Sequence, residues 1–197
     1  RVYDIGAVTD KNIKVKYNNE LIPVKCFEQY INLYIGEKTE TNRAYECSED
    51  GRWEYAIALT PSHKFIQVSF VNGIHTSKGG KHVEYILNQV VSKLVDYIEK
   101  KKNLKVNSNT IKEQLILFIR CDIENPAFDS QTKDYMNTPS NKFGSKCKVS
   151  DKLIEKLAKM GVMKTAMQLT EIKENKDAKK TDGTKSKSVR GIPKLTD

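Results

Sequence analysis

Apolar side chains recur at Val83, Ile86, Leu87, Val90, Val91, Leu94, Val95 and Ile98. These are the i, i+3, i+4, i+7 steps that line one face of a helix. The opposite face carries Glu84, Asn88, Ser92, Lys93 and Asp96. Lys100-Lys101-Lys102 close the stretch, where cations favour the negative end of the helix dipole. A helix with so regular an apolar stripe needs a second apolar layer to lie on. Leu115-Ile116-Leu117-Phe118-Ile119-Arg120-Cys121 offers one. A nearly continuous apolar run of that length predicts a central strand. Helix and strand together predict a sheet covered by helices, in the α+β or α/β class.

The remaining pattern fills in that sheet. Ile13 to Tyr17 alternates as a half-buried strand does, Asn18-Asn19 signals a turn, and Leu21 to Val24 resumes the apolar pattern. A hairpin is predicted there, followed by a short helix over Phe27 to Tyr34. Trp53 to Leu59 and Phe65 to Val71 read as further strands. A Gly-rich loop, residues 72 to 80, leads into the long helix, and a polar loop runs from Glu124 to about Lys148. Ser150 is placed to cap a second long helix, with Asp151 in its first turn and Leu153, Ile154, Leu157 and Met160 at helical spacing. Gly161 weakens that helix without having to stop it, and helical character is expected to continue towards Ile172.

From Lys173 to Arg190 apolar residues nearly vanish, which predicts a flexible basic linker. Gly191-Ile192-Pro193-Lys194-Leu195 then begins a new element. With no initiator Met and an abrupt end at Asp197, the chain reads as cut from a longer one.

Composition narrows the function. A formal charge of +9 over 197 residues suits contact with phosphate backbones, though solubility alone also accounts for it. No long apolar run is present, so no membrane partner is expected. Cys26, Cys47, Cys121 and Cys147 form no CxxC pair, which makes a zinc site improbable and fits free thiols in a reducing compartment. His63, His75 and His82 lack metal-ligand spacing, and no hydrolytic triad stands out.

Three segments, taken together, resemble the transducer of eukaryotic type II DNA topoisomerases. They are Ser69-Phe70-Val71-Asn72-Gly73-Ile74-His75-Thr76-Ser77-Lys78-Gly79-Gly80-Lys81-His82-Val83, Glu124-Asn125-Pro126-Ala127-Phe128-Asp129-Ser130-Gln131-Thr132-Lys133, and Arg190-Gly191-Ile192-Pro193-Lys194-Leu195. Weaker similarity covers Val2 to Ile5, Leu21 to Lys25 and Lys142 to Ser145. The resemblance implies an α+β fold of the GHKL-ATPase transducer type, with a left-handed βαβ unit and a sheet covered by two long helices. It divides the chain into a transducer over 1–172, a linker over 173–190, and the start of the connection to the toprim cleavage core over 191–197. It implies a part of a homodimeric, nuclear, ATP-hydrolysing enzyme that changes DNA topology and serves chromosome segregation. ATP and Mg²⁺ would be held mainly by an N-terminal GHKL domain, with double-stranded DNA and a second identical subunit as partners. The fragment by itself is expected to be inactive.

In the family, the Gln-Thr-Lys loop reaches the nucleotide, so the resemblance implies that Gln131, Thr132 and Lys133 touch ATP and that Lys133 meets the γ-phosphate. The chemistry suits a lysine, whose compact ammonium on a long stem stabilises charge on a transferring phosphoryl group. Outside that context Lys133 would be one more exposed lysine. Lys100, Lys101 and Lys102 match a lysine-rich loop that touches DNA, or else form a solvated helix end. Lys78, Lys81 and His82 either meet DNA phosphate or only start the helix. The glycines before them match neither GxxxxGK[ST] nor GxGxxG, so a tight strand-to-helix connection is preferred to a phosphate cradle. The alternative of another class is a stand-alone basic nucleic-acid-binding module. A mismatch-repair type GHKL protein is disfavoured by Gly191 to Leu195.

Overall fold

The structure is a computed structural model that describes residues 1–168. From the N-terminus run α1 (Val2–Val8), β1 (Lys16–Tyr17), β2 (Glu20–Leu21), α2 (Phe27–Ile35), β3 (Ala44–Cys47), β4 (Trp53–Leu59) and β5 (Ile66–Val71). Then come β6 (Ile74–His75), β7 (Gly79–Gly80), α3 (Lys81–Lys102), α4 (Ser108–Lys112), β8 (Leu115–Cys121), β9 (Tyr135–Met136) and α5 (Asp151–Leu157). A five-stranded sheet has the order β3-β4-β8-β5-β6. The apolar run forms its central strand, antiparallel to β4 and parallel to β5. A parallel pair needs a crossover, and α3 supplies most of it.

Strand alternation decides which side chains go to which face. Trp53, Tyr55 and Ile57 of β4 and Leu115, Leu117, Ile119 and Cys121 of β8 point to one side, where they pack with Val83, Ile86, Leu87, Val90, Val91, Leu94 and Ile98 of α3. Leu153, Ile154 and Leu157 of α5 complete that layer. Ala56, Ala58, Ile116 and Phe118 point the other way and meet Ala7, Phe27, Tyr30 and Ile31 from α1 and α2. The sheet is therefore covered on both faces, as the unbroken apolar run of β8 requires. Tyr3 and Ile5 of α1 and Leu33 and Tyr34 of α2 stay about half exposed on the outside of this second layer.

Several expectations are corrected. The strand over Ile13 to Tyr17 shrinks to Lys16–Tyr17, because Ile13 and Tyr17 find nothing to cover them and are 60% and 59% exposed. The hairpin turn does form, with Asn18 and Asn19 both at positive φ. The Gly-rich and polar loops each contain paired backbone: β7 and β9 form a parallel two-stranded sheet. The second long helix is interrupted. After α5 it widens over Ala158–Val162, where Gly161 adopts φ 110°, and helix resumes over 163–168. The linker expected at 173–190 and the exit element at 191–197 lie outside the described residues. Among the described residues all four cysteines are free thiols, and no helix is long and apolar enough to cross a membrane.

Candidate functional site

The segment that carries Gln131, Thr132 and Lys133 leaves the sheet at the end of β8. Its departure is pinned from both sides. The Asn72 amide donates to the Ile123 carbonyl at 2.9 Å and accepts from the Ile123 N–H at 2.8 Å. Arg52 donates to the Asp122 carbonyl at 3.2 Å, the Glu124 carboxylate at 3.2 Å and the Gly144 carbonyl at 3.1 Å. Trp53, fully buried, packs between Tyr85 and Phe143 and donates its indole N–H to Ser145 Oγ at 2.8 Å. The loop thus starts from a fixed point on a rigid strand.

Beyond that point the chain folds back on itself. The Asn137 N–H donates to the Ala127 carbonyl at 2.8 Å, and the Asp129 N–H to the Tyr135 carbonyl at 3.1 Å. At the tip, the Lys133 N–H closes a turn on the Ser130 carbonyl at 3.1 Å, with Gln131 and Thr132 at the two corners. Lys133 follows at φ 58°, in the left-handed region that side chains other than glycine enter at a cost. Its ammonium sits 5.8 Å from the centre of the Phe128 ring and forms no ion pair among the described residues. A weak cation–π contact of this kind is readily exchanged for a stronger anionic partner. Gln131 is exposed. The Thr132 hydroxyl is engaged within the loop, 2.8 Å from Ser130 Oγ and donating to Asp134 Oδ2 at 2.9 Å.

The base of the loop is fastened to the start of α3. Gly79 and Gly80 pair with Tyr135 and Met136. Gly80 has φ 146°, and a Cβ there would lie 2.5 Å from the Met136 carbonyl oxygen and 2.6 Å from its nitrogen. Only glycine admits that approach. The Lys78 N–H donates to the Asp134 carbonyl at 2.9 Å and the Ser77 hydroxyl to Asp134 Oδ1 at 2.9 Å. The Tyr135 hydroxyl donates to Glu84 Oε1 at 3.0 Å, on the first turn of α3. Donation by Ser77, and then by Thr132, holds the Asp134 carboxyl below the usual carboxylate range.

The other lysines singled out from sequence fall in two places. Lys78 and Lys81 lie beside the loop, exposed, at 3.8 Å from Asp134 and 2.8 Å from Glu84 respectively. His82 is fully buried, which overturns any contact between its ring and DNA phosphate. Its Nε2 is 3.3 Å from Thr76 Oγ1, and burial pushes its pKa down to about 3, so the ring is neutral. Lys100, Lys101 and Lys102 occupy the far end of α3, exposed, beyond which Asn103 closes the helix in the left-handed conformation. With 1.5 Å of rise per residue, the 22 residues of α3 separate the two lysine groups by roughly 30 Å. Sequence reasoning missed Ser77, Asp134, Tyr135 and Glu84 as parts of the site. The only signal was the position of Asp134-Tyr135 directly after the Gln-Thr-Lys tip.

The tip of the loop thus presents one ammonium and one exposed amide. Among the described residues no group of His, Cys, Asp and Glu is arranged to hold a metal ion. The fold is a helix-covered mixed sheet with one ammonium at the tip of a strand-anchored loop and a long helix behind it. Comparison with known proteins identifies the family. The family described as DNA gyrase B matches residues 26–187. The DNA topoisomerase 2 of Arabidopsis thaliana is 41% identical over 204 residues, a match covering all of this chain and 14% of that protein. The ATPase and transducer domains of DNA topoisomerase II from Balamuthia mandrillaris superpose with a TM-score of 0.79 at 33% identity, over 88% of this chain and 43% of that one. The ATPase region of the Saccharomyces cerevisiae enzyme gives 0.77 at 36% identity, over 86% and 43%. The chain belongs to the DNA gyrase B family, as the transducer region of a eukaryotic-type type II DNA topoisomerase. It spans only 14% of the length of the first of these relatives.

Proposed function

We propose that this chain relays the nucleotide state of a preceding ATPase module to a DNA-cleaving core, with Lys133 as the group that senses the γ-phosphate. The single observation that carries the reading is the placement of Lys133. It sits at the tip of a loop whose base is fastened to α3, and among the described residues its ammonium forms no ion pair and rests on an aromatic face. An ammonium brought to a poorly hydrated phosphate stabilises the charge that builds up there. ATP with its Mg²⁺, held mainly by the preceding module, supplies the phosphoryl group and its charge. Lys133 would leave the Phe128 ring to meet that phosphate, Gln131 would stand beside it, and Thr132 would keep the turn closed from within.

Movement of the tip reaches α3 through β9 and β7 rather than dissipating in a flexible loop. The stiff helix then carries it over roughly 30 Å to Lys100, Lys101 and Lys102, whose exposed ammoniums suit the backbone of double-stranded DNA. Lys78 and Lys81, paired with carboxylates, would contribute less to such contact. A two-state element biased by a phosphate is a common switch design. The exposed Tyr3, Ile5, Leu33 and Tyr34 form the face on which a preceding module would pack. In this reading residues 1–172 act as the relay, 173–190 as a linker and 191–197 as the connection to the core. The parent enzyme would be a homodimer working on chromosomal DNA in the nucleus.

The test is Lys133→Ala in the parent enzyme. ATP turnover should fall by on the order of 10²-fold, the scale seen when one charge-stabilising donor is removed from a preorganised site. Unchanged turnover overturns the assignment.

A further inference from the structure

We propose that Asp134 is the positioning residue for Lys133, fixing where the ammonium can travel by tying the loop tip to the start of α3. The inference rests on the nucleotide-contact reading above and names the residue through which that contact is aimed.

Asp134 is a residue of the loop whose side chain bonds both to the tip and to the segment that leads into α3. Towards the tip, its Oδ2 accepts from Thr132 at 2.9 Å, and Thr132 in turn lies 2.8 Å from Ser130, the first residue of the turn. Towards the helix, its Oδ1 accepts from Ser77 at 2.9 Å, and its carbonyl accepts from the Lys78 N–H at 2.9 Å. Lys78 Nζ stands 3.8 Å away. Each carboxylate oxygen thus serves one side, and Lys133 is held between the turn and the clamp. A neutral or shortened side chain at 134 cannot keep both oxygens in place.

The neighbouring contacts explain why the clamp sits at this residue. Tyr135 pairs in β9 with Gly79 and sends its hydroxyl to Glu84, while Lys81 holds Glu84 at 2.8 Å. That second tether reaches the turn only indirectly, through Asp129, whose Oδ1 accepts from the Tyr135 N–H at 3.3 Å and from the Ser130 hydroxyl at 3.1 Å. The left-handed conformation of Lys133 places a strained residue directly before the clamp. Loss of the Thr132 and Ser77 bonds would let the turn relax, and the ammonium would then sample directions away from the phosphate. Small misplacements of a catalytic group lower rates steeply without requiring any loss of fold.

The test is a double-mutant cycle in the parent enzyme, reading ATP turnover and KM. Asp134→Ala should lower kcat about 10-fold with a thermal midpoint near that of the parent enzyme, and Ser77→Ala should lower it in the same direction by less. In a Lys133→Ala background, Asp134→Ala should have little further effect, because its influence passes through the ammonium. Asp134→Asn keeps the shape and removes the charge, and serves where the alanine variant unfolds. It too should lower kcat only while Lys133 is present. If Lys133→Ala lowers turnover but the Asp134 variants leave it unchanged, or act additively with Lys133→Ala, the positioning role is wrong and the nucleotide-contact reading stands. If Lys133→Ala itself has no effect, the reading beneath the inference fails with it.

Discussion

Gly80→Ala is the sharpest perturbation of the junction between the loop and α3. A Cβ at 80 would meet the Met136 carbonyl oxygen at 2.5 Å, its nitrogen at 2.6 Å and its Cα at 2.9 Å, all backbone atoms that no side-chain rotation can clear. The backbone at Gly80 (φ 146°, ψ −169°) also lies in a region that is essentially glycine-only. Strain of that kind costs about 1–3 kcal/mol, and forcing atoms into a filled space about 1–3 kcal/mol more, so about 4 kcal/mol is expected in total. Gly36 provides the control. It closes α2 at φ 76°, ψ −175°, with nothing within 4 Å of an added Cβ, so Gly36→Ala should carry the strain alone, about 2 kcal/mol. Urea unfolding of the chain measures both values, provided that the m-value is unchanged. At about 2–4 °C per kcal/mol, Gly80→Ala should lower Tm by about 10 °C. Amide exchange at Lys78, whose N–H bonds to Asp134, should quicken in Gly80→Ala and not in Gly36→Ala. Equal stabilities for the two variants, within about 0.5 kcal/mol, would refute the close approach of β7 and β9.

Two further perturbations probe the packing around the site. Ser145→Ala removes the acceptor of the buried Trp53 indole N–H and should destabilise by about 2 kcal/mol in the same urea assay. His82 gives the chain a pH dependence of defined sign. Its pKa falls from 6.5 to about 3 on folding, so the unfolded chain takes up a proton below pH 6.5 that the folded chain refuses. The stability from keeping this ring neutral is complete above pH 6.5 and is lost progressively as pH falls towards about 3. Between pH 6 and 5, where most carboxylates are still charged, the slope should approach about 1.4 kcal/mol per pH unit. His82→Gln should flatten that slope whatever its effect on stability at pH 7, as unfolding curves across the range would show.

The elements that carry strong side-chain periodicity were the legible ones. β4 spans the expected Trp53–Leu59, β8 the expected Leu115–Cys121, and α3 holds the apolar stripe that named it. Their patterns are direct consequences of burial on one face or both. Ile13 to Tyr17 shows the limit of that logic, since alternation predicts a strand only where something covers it. β3 escaped notice because an edge strand of Ala-Tyr-Glu-Cys carries little apolar signal. β7 escaped because two glycines pair through backbone alone. The candidate loop was located through resemblance, which the segments around Gln131 to Lys133 supplied. Its anchoring was not legible, because Ser77 and Asp134 are 57 residues apart in sequence and meet only once β7 and β9 have paired. Burial of His82 was hidden for a related reason. It sits on the first turn of α3 beside Lys81, where sequence alone suggests solvent.

A phosphate-sensing Lys133 must change position when a nucleotide is bound. A structure of the parent enzyme's N-terminal region with a non-hydrolysable ATP analogue measures this directly. Lys133 Nζ should have left the Phe128 ring and lie about 2.7–3.2 Å from a γ-phosphate oxygen, with Asp134 still bonded to Ser77. A side chain that stays stacked on Phe128 in solvent while the nucleotide is fully bound would contradict it.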